Sequence, residues 1–443
     1  MHLPDDFIRY TRHLMGERRW SLFEEGLQQQ SPVSVRFNPR KVNTDKILLE
    51  KVPWSDYGYY LDKRPNFTFD PLLHAGVYYV QEASSMFIEY VLRHIVKKPI
   101  AMLDMCAAPG GKSIAARTVL PEGSVLFSNE PMKTRAQILA ENIQKWGFPA
   151  TVVTNNYPAD YSKTNMSFDV ILCDVPCSGE GMFRKDPASV DEWSVANVDK
   201  CQMLQRQIVG EAWHCLEPGG FLIYSTCTFN TKENEENIAF FMEEFGAEVV
   251  ELPISEQWSI TGSLLPGFNY PVYRFIPGIT RGEGLFMCVM RKPGEPTCRD
   301  ISATTNHLKQ LHVIYDNVLQ EDSSEKRREK KPAKGERSHK RDEAKNKAKE
   351  NTPQHAEALS VNHDKDHYPH VELSYKDAIS YLRREAITLP SSAPCGFVVV
   401  TFQEHPLGFV KNIGNRANNL YPQNWKIKST YIPTEYETVF RLA

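Results

Sequence analysis

Residues 99–113 read Pro99-Ile-Ala-Met-Leu-Asp104-Met-Cys106-Ala-Ala-Pro109-Gly-Gly-Lys112-Ser113. An apolar run ends in an acid, a glycine-containing turn follows, and a helical run extends over residues 112–120. Strand, tight turn and helix in that order form the first unit of an α/β sheet. The unit repeats downstream. Residues 124–128 read as a second strand and 133–146 as a second helix. Residues 151–154, 168–174 and 221–225 read as three more strands, and a helix over 200–216 is stopped by Glu217-Pro-Gly-Gly220. The alternation predicts a mostly parallel sheet with helices on both faces. Ligands of such sheets bind beyond the carboxyl ends of the strands, so the residues just after each strand carry the chemistry.

The rest of the chain sets the frame. It has 443 residues, 52 Lys+Arg against 55 Asp+Glu, and a formal net charge of -3. With 41% apolar and 24% charged residues, it is not collagen-like, mucin-like or wholly disordered. Nine cysteines in such a length do not make a small disulfide scaffold. No apolar run approaches the ~18 residues of a membrane span. The opening MHLPDDFIRY carries two acids where a signal peptide carries bases. The expectation is a cytoplasmic protein with reduced thiols, no membrane partner and a monomeric state. A net charge near zero leaves nucleic-acid binding to local patches.

Four segments are expected. Residues 1–95 are mixed; residues 34–40 look like a short strand with exposed basic positions. Arg9, Arg12, Arg18, Arg19, Arg36, Arg40 and Lys41 make the region a candidate for phosphate contact. Residues 96–295 hold the α/β pattern. Residues 296–369 are a connection, within which 321–350 carry 12 Lys/Arg and 8 Asp/Glu without one Phe, Tyr, Trp, Val, Ile or Thr. That composition predicts a solvated, disordered tether. Residues 370–443 return to short strands, at 396–402 and 407–411, after a helix over 375–385. No acid lies between His405 and Thr434, whereas Lys411, Arg416, Lys426 and Lys428 do, with Tyr421 and Trp425 among them. Basic residues interleaved with aromatics suit RNA; buried core aromatics are the plain alternative.

The first turn has a competing reading as a phosphate loop, G-x-x-x-x-G-K-[ST]. Gly111-Lys112-Ser113 fits its end, but Cys106 stands where the first glycine belongs, and Pro109 removes a backbone donor. A glycine-rich strand–helix turn also holds nucleoside cofactors, with Lys112 able to pair with a cofactor carboxylate. Glu130, after the second strand, is placed to accept from ribose hydroxyls; the plain alternative is a favourable charge at a helix start. Asp174-Val-Pro-Cys177-Ser-Gly follows the fourth strand and Ser225-Thr-Cys227-Thr the fifth. Two cysteines beyond neighbouring strands face one crevice. Cys173-x-x-x-Cys177 comes nearest to metal-ligand spacing, but strand alternation points the two apart, and no metal is expected. A nucleophilic thiol is the sharper reading. Methylating C5 of cytosine needs a thiolate to add at C6, because C5 is otherwise a poor nucleophile. It also needs an acid near N3, and Asp174 would serve if its crevice kept it protonated. These residues alone leave open which cysteine attacks.

Those segments, with Tyr78-Tyr-Val-Gln-Glu-Ala-Ser-Ser85, Cys106-Ala-Ala-Pro-Gly-Gly-Lys112, Asn129-Glu130 with Arg135, Tyr224-Ser-Thr-Cys-Thr228, Glu235-Glu-Asn237 and Arg281-Gly-Glu-Gly284, resemble the RNA 5-methylcytosine methyltransferases of the Sun/nucleolar-protein family. The bacterial RsmF-like rRNA methyltransferases are the nearest in pattern. The likeness covers residues 1–293 and resumes near 370, where Gly408-Phe-Val-Lys411 and Asn418-Asn-Leu-Tyr-Pro422 resemble a PUA-like RNA-binding domain. It implies a Rossmann-like methyltransferase domain flanked by a small α+β N-terminal RNA-binding region and a C-terminal PUA-like β-domain. It implies S-adenosylmethionine as cofactor and RNA as partner: small-subunit 16S rRNA, free or within the 30S subunit, with tRNA or a catalytically inactive assembly factor as the alternatives. By the same resemblance Cys227 is the nucleophile, Cys177 promotes release, and Asp174 contacts cofactor and base. Cys106, Ala107, Ala108, Pro109, Gly110, Gly111 and Lys112 hold the cofactor's amino-acid end, Glu130 attends its ribose, and Arg135 is a further cofactor-binding residue. Lys112 also orients Asp174.

One position departs from the pattern. The family carries an Asp after the third strand, for the adenine amino group. Here the segment is Asn155-Asn-Tyr-Pro158, with Tyr157 at that place. Asn156 or a backbone carbonyl is the expected replacement.

Overall fold

The computed structural model describes residues 2–296, 301–318 and 352–442. The charged tether expected over 321–350 lies outside the described residues. A helical segment, Asp5–Gln28, kinked at Gly16 where φ is +69°, comes first, with Asp5 and Asp6 in its first turn where acids suit the dipole. Three antiparallel strands follow, β1 (Val33–Phe37), β2 (Gly58–Leu61) and β3 (Tyr78–Val80), in the order β2-β1-β3.

The exposed basic strand expected at 34–40 is corrected here. As the central strand, β1 is covered on both faces, and Arg36 is fully buried. Its guanidinium pairs with Glu89 at 2.8 Å and donates to Gln81 Oε1 at 2.9 Å. Lys41 is also taken: its Nζ donates to the carbonyls of Ala75 and Lys145 at 2.7 and 2.8 Å, and burial pushes its pKa down to about 7. Arg9, Arg12, Arg18 and Arg19 remain exposed on the first helix. Arg36→Ala is expected to cost about 3–5 kcal/mol, because it leaves the buried Glu89 with only the half-exposed Arg93, at 3.3 Å, as counter-charge. A urea-unfolding midpoint that moves little would show that Glu89 finds another partner.

The large sheet contains β4 (Ala101–Asp104), β5 (Val125–Asn129), β6 (Thr151–Thr154), β7 (Phe168–Asp174), β8 (Leu216–Thr226), β9 (Glu248–Val249), β10 (Tyr273–Phe275), β11 (Leu285–Arg291) and β12 (Val313–Asp316). Its order is β10-β11-β8-β7-β4-β5-β6-β12, with β9 on β11. Strands β4 to β8 are mutually parallel, whereas β10, β11 and β12 run against their neighbours. Alternating side chains serve two cores. Leu103, Phe127, Val152 and Ile171 face one, and Met102, Leu126, Val170 and Ile223 the other. Strand order reverses between β4 and β7, and a crevice opens at their carboxyl ends. The helix expected over 200–216 spans Val195–His214, starting where Ser194 Oγ accepts from Asn197 N. The segment expected to be only a connection supplies β12, an edge strand hydrogen-bonded to β6.

The C-terminal sheet has the order β13 (His370–Glu372), β14 (Gly396–Phe402), β15 (His405–Asn412) and β16 (Ala417–Asn419). The aromatics read as RNA-facing are core. Tyr421 is buried and Trp425 packs against the same cluster, which joins Phe37, Tyr59 and Tyr78 to Ile379, Val398 and Val400. Lys411, Arg416 and Lys428 stay exposed. At this seam His74 Nε2 lies 2.9 Å from Thr68 O, and both ring nitrogens of His355 are buried without a hydrogen-bond partner among the described residues. Burial and the nearby Lys145 push both imidazoles down to about 3. At these two histidines the unfolded chain binds more protons than the native one between about pH 3 and 6.5, so their contribution to stability falls as pH drops through that window, while the raised carboxyls of Asp70, Asp104 and Glu233 act in the opposite sense. Measured by unfolding at pH 7 and pH 5, the histidine contribution should shrink in His355→Phe; an unchanged pH slope in that variant would remove His355 from the account.

Candidate active site

Every residue that the sequence placed after a strand lies at one end of the large sheet. Asp104 ends β4, Asn129 ends β5 with Glu130 just after it, Asn155-Asn156 follows β6, Asp174 ends β7 and Cys227 follows β8. The turn after β4 needs its glycines: Gly110 has φ +117°, a conformation closed to other residues without strain, and caps the helix Gly111–Val119. Helix Lys133–Trp146 grips this turn, Arg135 Nη2 donating to Ala108 O at 2.8 Å and Asn142 Nδ2 to Pro109 O at 2.9 Å. Asn142 was not singled out from the sequence; an amide on the outer face of a helix carries no mark of such a contact. Cys106, Ala107 and Ala108 are buried in the turn, which leaves backbone, not side chains, to face a ligand there.

Lys112 Nζ donates to Asp174 Oδ2 at 2.8 Å. Burial opposes the ammonium charge, but Asp174, with Cys227 and Asp104 beyond it, outweighs burial and raises its pKa. Lys112 and Asp174 thus form an ion pair at the end of β7. Beneath the pair Asp104 is fully buried. Its Oδ2 accepts from Ser113 Oγ at 2.6 Å, and Oδ1 has no well-formed partner among the described residues. Burial, with the Asp174 charge adding to it, pushes Asp104 up to about 7.

Glu130 is buried, accepts from Met132 N at 3.0 Å and meets Arg135 Nη1 only at 3.4 Å. Asn156 is otherwise engaged: its Oδ1 accepts from His312 N at 3.0 Å and its Nδ2 donates to His312 O at 3.3 Å. Both ends of the amide tie the β6 loop to the segment before β12, so this side chain is not free for an adenine. Tyr157 is exposed.

The cysteines meet. Cys177 Sγ lies 3.0 Å from Cys227 Sγ, and Cys227 N donates to Cys177 Sγ at 3.3 Å. Both are free thiols, as are Cys106, Cys173, Cys201, Cys215, Cys288 and Cys395. The contact with Cys227, reinforced by burial, holds the Cys177 pKa well above the usual thiol range. A Cβ on Gly181 would lie 2.8 Å from Cys227 O, so only glycine lets the two loops approach this closely. Among the described residues no group of His, Cys, Asp and Glu can hold a metal ion, and no helix is long and apolar enough to cross a membrane.

A turn of this form and a buried acid one strand over fit a nucleoside with an amino-acid tail. Fold and crevice together define an S-adenosylmethionine-dependent RNA methyltransferase that carries a pair of facing cysteines. Residues 95–291 match the family described as 16S rRNA methyltransferase RsmB/F. The N-terminal domain of 16S rRNA methyltransferase RsmF matches residues 3–83, and the methyltransferase RsmF PUA domain residues 368–427. Ribosomal RNA small subunit methyltransferase F of Salmonella agona is 28% identical over 96% of both chains. Its counterpart from Enterobacter sp. is 32% identical over 65% of this chain and 63% of that one. Among solved structures, NSun6 from Pyrococcus horikoshii with SFG has a TM-score of 0.56 at 20% identity, covering 66% of this chain and 99% of that one. A methyltransferase homolog protein from the same organism has a TM-score of 0.54 at 24% identity, covering 66% and 100%.

Proposed function

We propose that this chain, acting as a cytoplasmic monomer, methylates C5 of a cytosine in 16S rRNA through a covalent bond between Cys227 and C6 of the ring. The observation that carries the reading is the sulfur pair at 3.0 Å, set beside the Lys112–Asp174 pair at the ends of β7 and β8. S-adenosylmethionine, held by the turn of residues 106–112 and by Glu130, supplies an electrophilic methyl group. Cys227 Sγ adds to C6, which makes C5 an enamine-like nucleophile. Lys112 Nζ, oriented by Asp174, stabilises the charge that builds on the N3 side of the ring. Once C5 carries the methyl group, its proton passes to solvent water, the C–H electron pair re-forms the C5–C6 double bond, and the C6–S bond breaks to release the Cys227 thiolate. Cys177, whose own pKa is held high by the contact, faces Cys227 as the proton-bearing sulfur, which supports Cys227 as the attacking one; Cys177 assists the final elimination. The exposed cations of the C-terminal sheet and the first helix contact RNA phosphates.

Labelled S-adenosylmethionine offered with unmodified 16S rRNA, free and in 30S particles, and with tRNA tests the reading. Transfer to one rRNA cytosine as 5-methylcytosine is the expected result. Transfer to tRNA alone would move the substrate, and no transfer despite normal cofactor binding would point to a binding factor. Glu130→Ala is expected to weaken binding of S-adenosylhomocysteine by about 10- to 100-fold, the value of a charge-assisted hydrogen bond or two. Unchanged affinity by calorimetry would free Glu130 from that role.

A further inference from the structure

Two buried carboxylates stand behind the sulfur pair, and the chemistry above does not use them. Glu180 lies on the loop of Cys177 and Glu233 on the segment of Cys227; both are fully buried. Among the described residues neither has a Lys or Arg partner. Burying an acid without a cation is costly unless several donors converge on it, and here they do. Glu180 Oε2 accepts from the backbone of Phe229 at 2.7 Å and Asn230 at 3.0 Å, and Oε1 accepts from Trp193 Nε1 at 3.0 Å. Glu233 Oε2 accepts from Ser178 N at 3.0 Å and Gln205 Nε2 at 2.7 Å.

The pattern is reciprocal. The acid from the Cys177 loop grips backbone just after Cys227, and the acid from the Cys227 segment grips the N–H just after Cys177. Asn230 Nδ2 joins them, 3.0 Å from Glu180 Oε1 and 2.7 Å from Glu233 Oε1. Ser178 Oγ and Thr228 Oγ1, each next to a cysteine, meet at 2.9 Å, and Gly181 N donates to Cys227 O at 2.8 Å. Loops joined only by their strands would not hold two sulfurs inside van der Waals contact. We infer that Glu233, crossed with Glu180, is a positioning residue that sets the distance between Cys177 and Cys227. The inference deepens the covalent reading above and rests on it for its catalytic consequence, but not for its geometric one. Burial, with the charge of Glu180 adding to it, pushes Glu233 up to about 7, so the clamp is held against a cost, as a fold-neutral acid would not be.

Disulfide closure is a ruler for the sulfurs that needs no RNA. Diamide takes two electrons and two thiol protons from the cysteines; one S–S bond forms and its N=N bond becomes a hydrazine. In the native enzyme Cys177 and Cys227 should cross-link readily, read by peptide mapping without reductant. Glu233→Ala should slow that closure at least about tenfold and lower kcat by about 100-fold, the cost of a misplacement near 1 Å. KM for RNA and the Kd for S-adenosylhomocysteine should stay within about twofold. Wild-type closure rate, or wild-type kcat, in a variant that binds S-adenosylhomocysteine normally would overturn the inference. If Glu233→Ala loses that binding, Glu233→Gln, which keeps the side-chain volume, is judged by the same two readouts. Closure in the native protein without any methyl transfer would instead strike the proposed reaction and leave the clamp standing.

Discussion

Cys227→Ala is expected to lower methyl transfer by roughly 10⁴-fold or more, as removal of a covalent nucleophile does elsewhere. That corresponds to about 5.4 kcal/mol of transition-state stabilisation. The loss should fall on chemistry alone. Cys227 is half-buried beyond the end of β8, and the groups assigned to the cofactor, residues 106–112 and Glu130, lie beyond β4 and β5. Affinity for S-adenosylhomocysteine should therefore survive. Cys227→Ser should be almost as inactive, because a hydroxyl beside Cys177 is far less nucleophilic than a thiolate. Measurable turnover at wild-type rate in either variant would end the assignment.

Cys177→Ala should behave in the opposite sense. With the attacking sulfur intact and its neighbour gone, addition and methylation proceed while elimination stalls. Protein and RNA should then migrate together on a denaturing gel, and the species should need S-adenosylmethionine for its build-up. The double variant Cys177→Ala/Cys227→Ala should lose it, which separates a specific adduct from entanglement. A single variant that binds RNA and cofactor, turns over, and shows no linked species would leave Cys177 with no part in release.

The parallel strands were legible because their local sequences are continuous apolar runs that end in chemistry-bearing residues. Residues 133–146, 151–154 and 168–174 have the predicted bounds. β12 was not legible: Val313-Ile-Tyr-Asp316 is too short to stand out from a polar stretch, and only its pairing with β6 makes it a strand. Arg36 reads as a surface base, since one residue cannot reveal a partner 53 positions away at Glu89. Tyr421 and Trp425 fail the same way, since His355, which packs on both rings, lies more than 60 positions upstream. Glu180 and Glu233 were missed because an acid next to glycine, lysine and asparagine looks solvated. Nothing local shows the backbone N–H groups that the opposite loop brings to them. The crevice residues were read because strand ends are marked in the sequence, whereas contacts between loops are not.

The apolar cluster that links Phe37 and Tyr78 to Phe440 has a temporal consequence. Phe37 meets the Phe440 ring at 4.7 Å, across nearly the whole length of the chain. A ribosome extending at about 5–20 residues per second needs roughly 20–80 s to travel between them. For that time the N-terminal strands emerge with their apolar face bare and no later partner yet made. Such a nascent segment is a substrate for holding chaperones until the segment around Phe440 emerges to cover it.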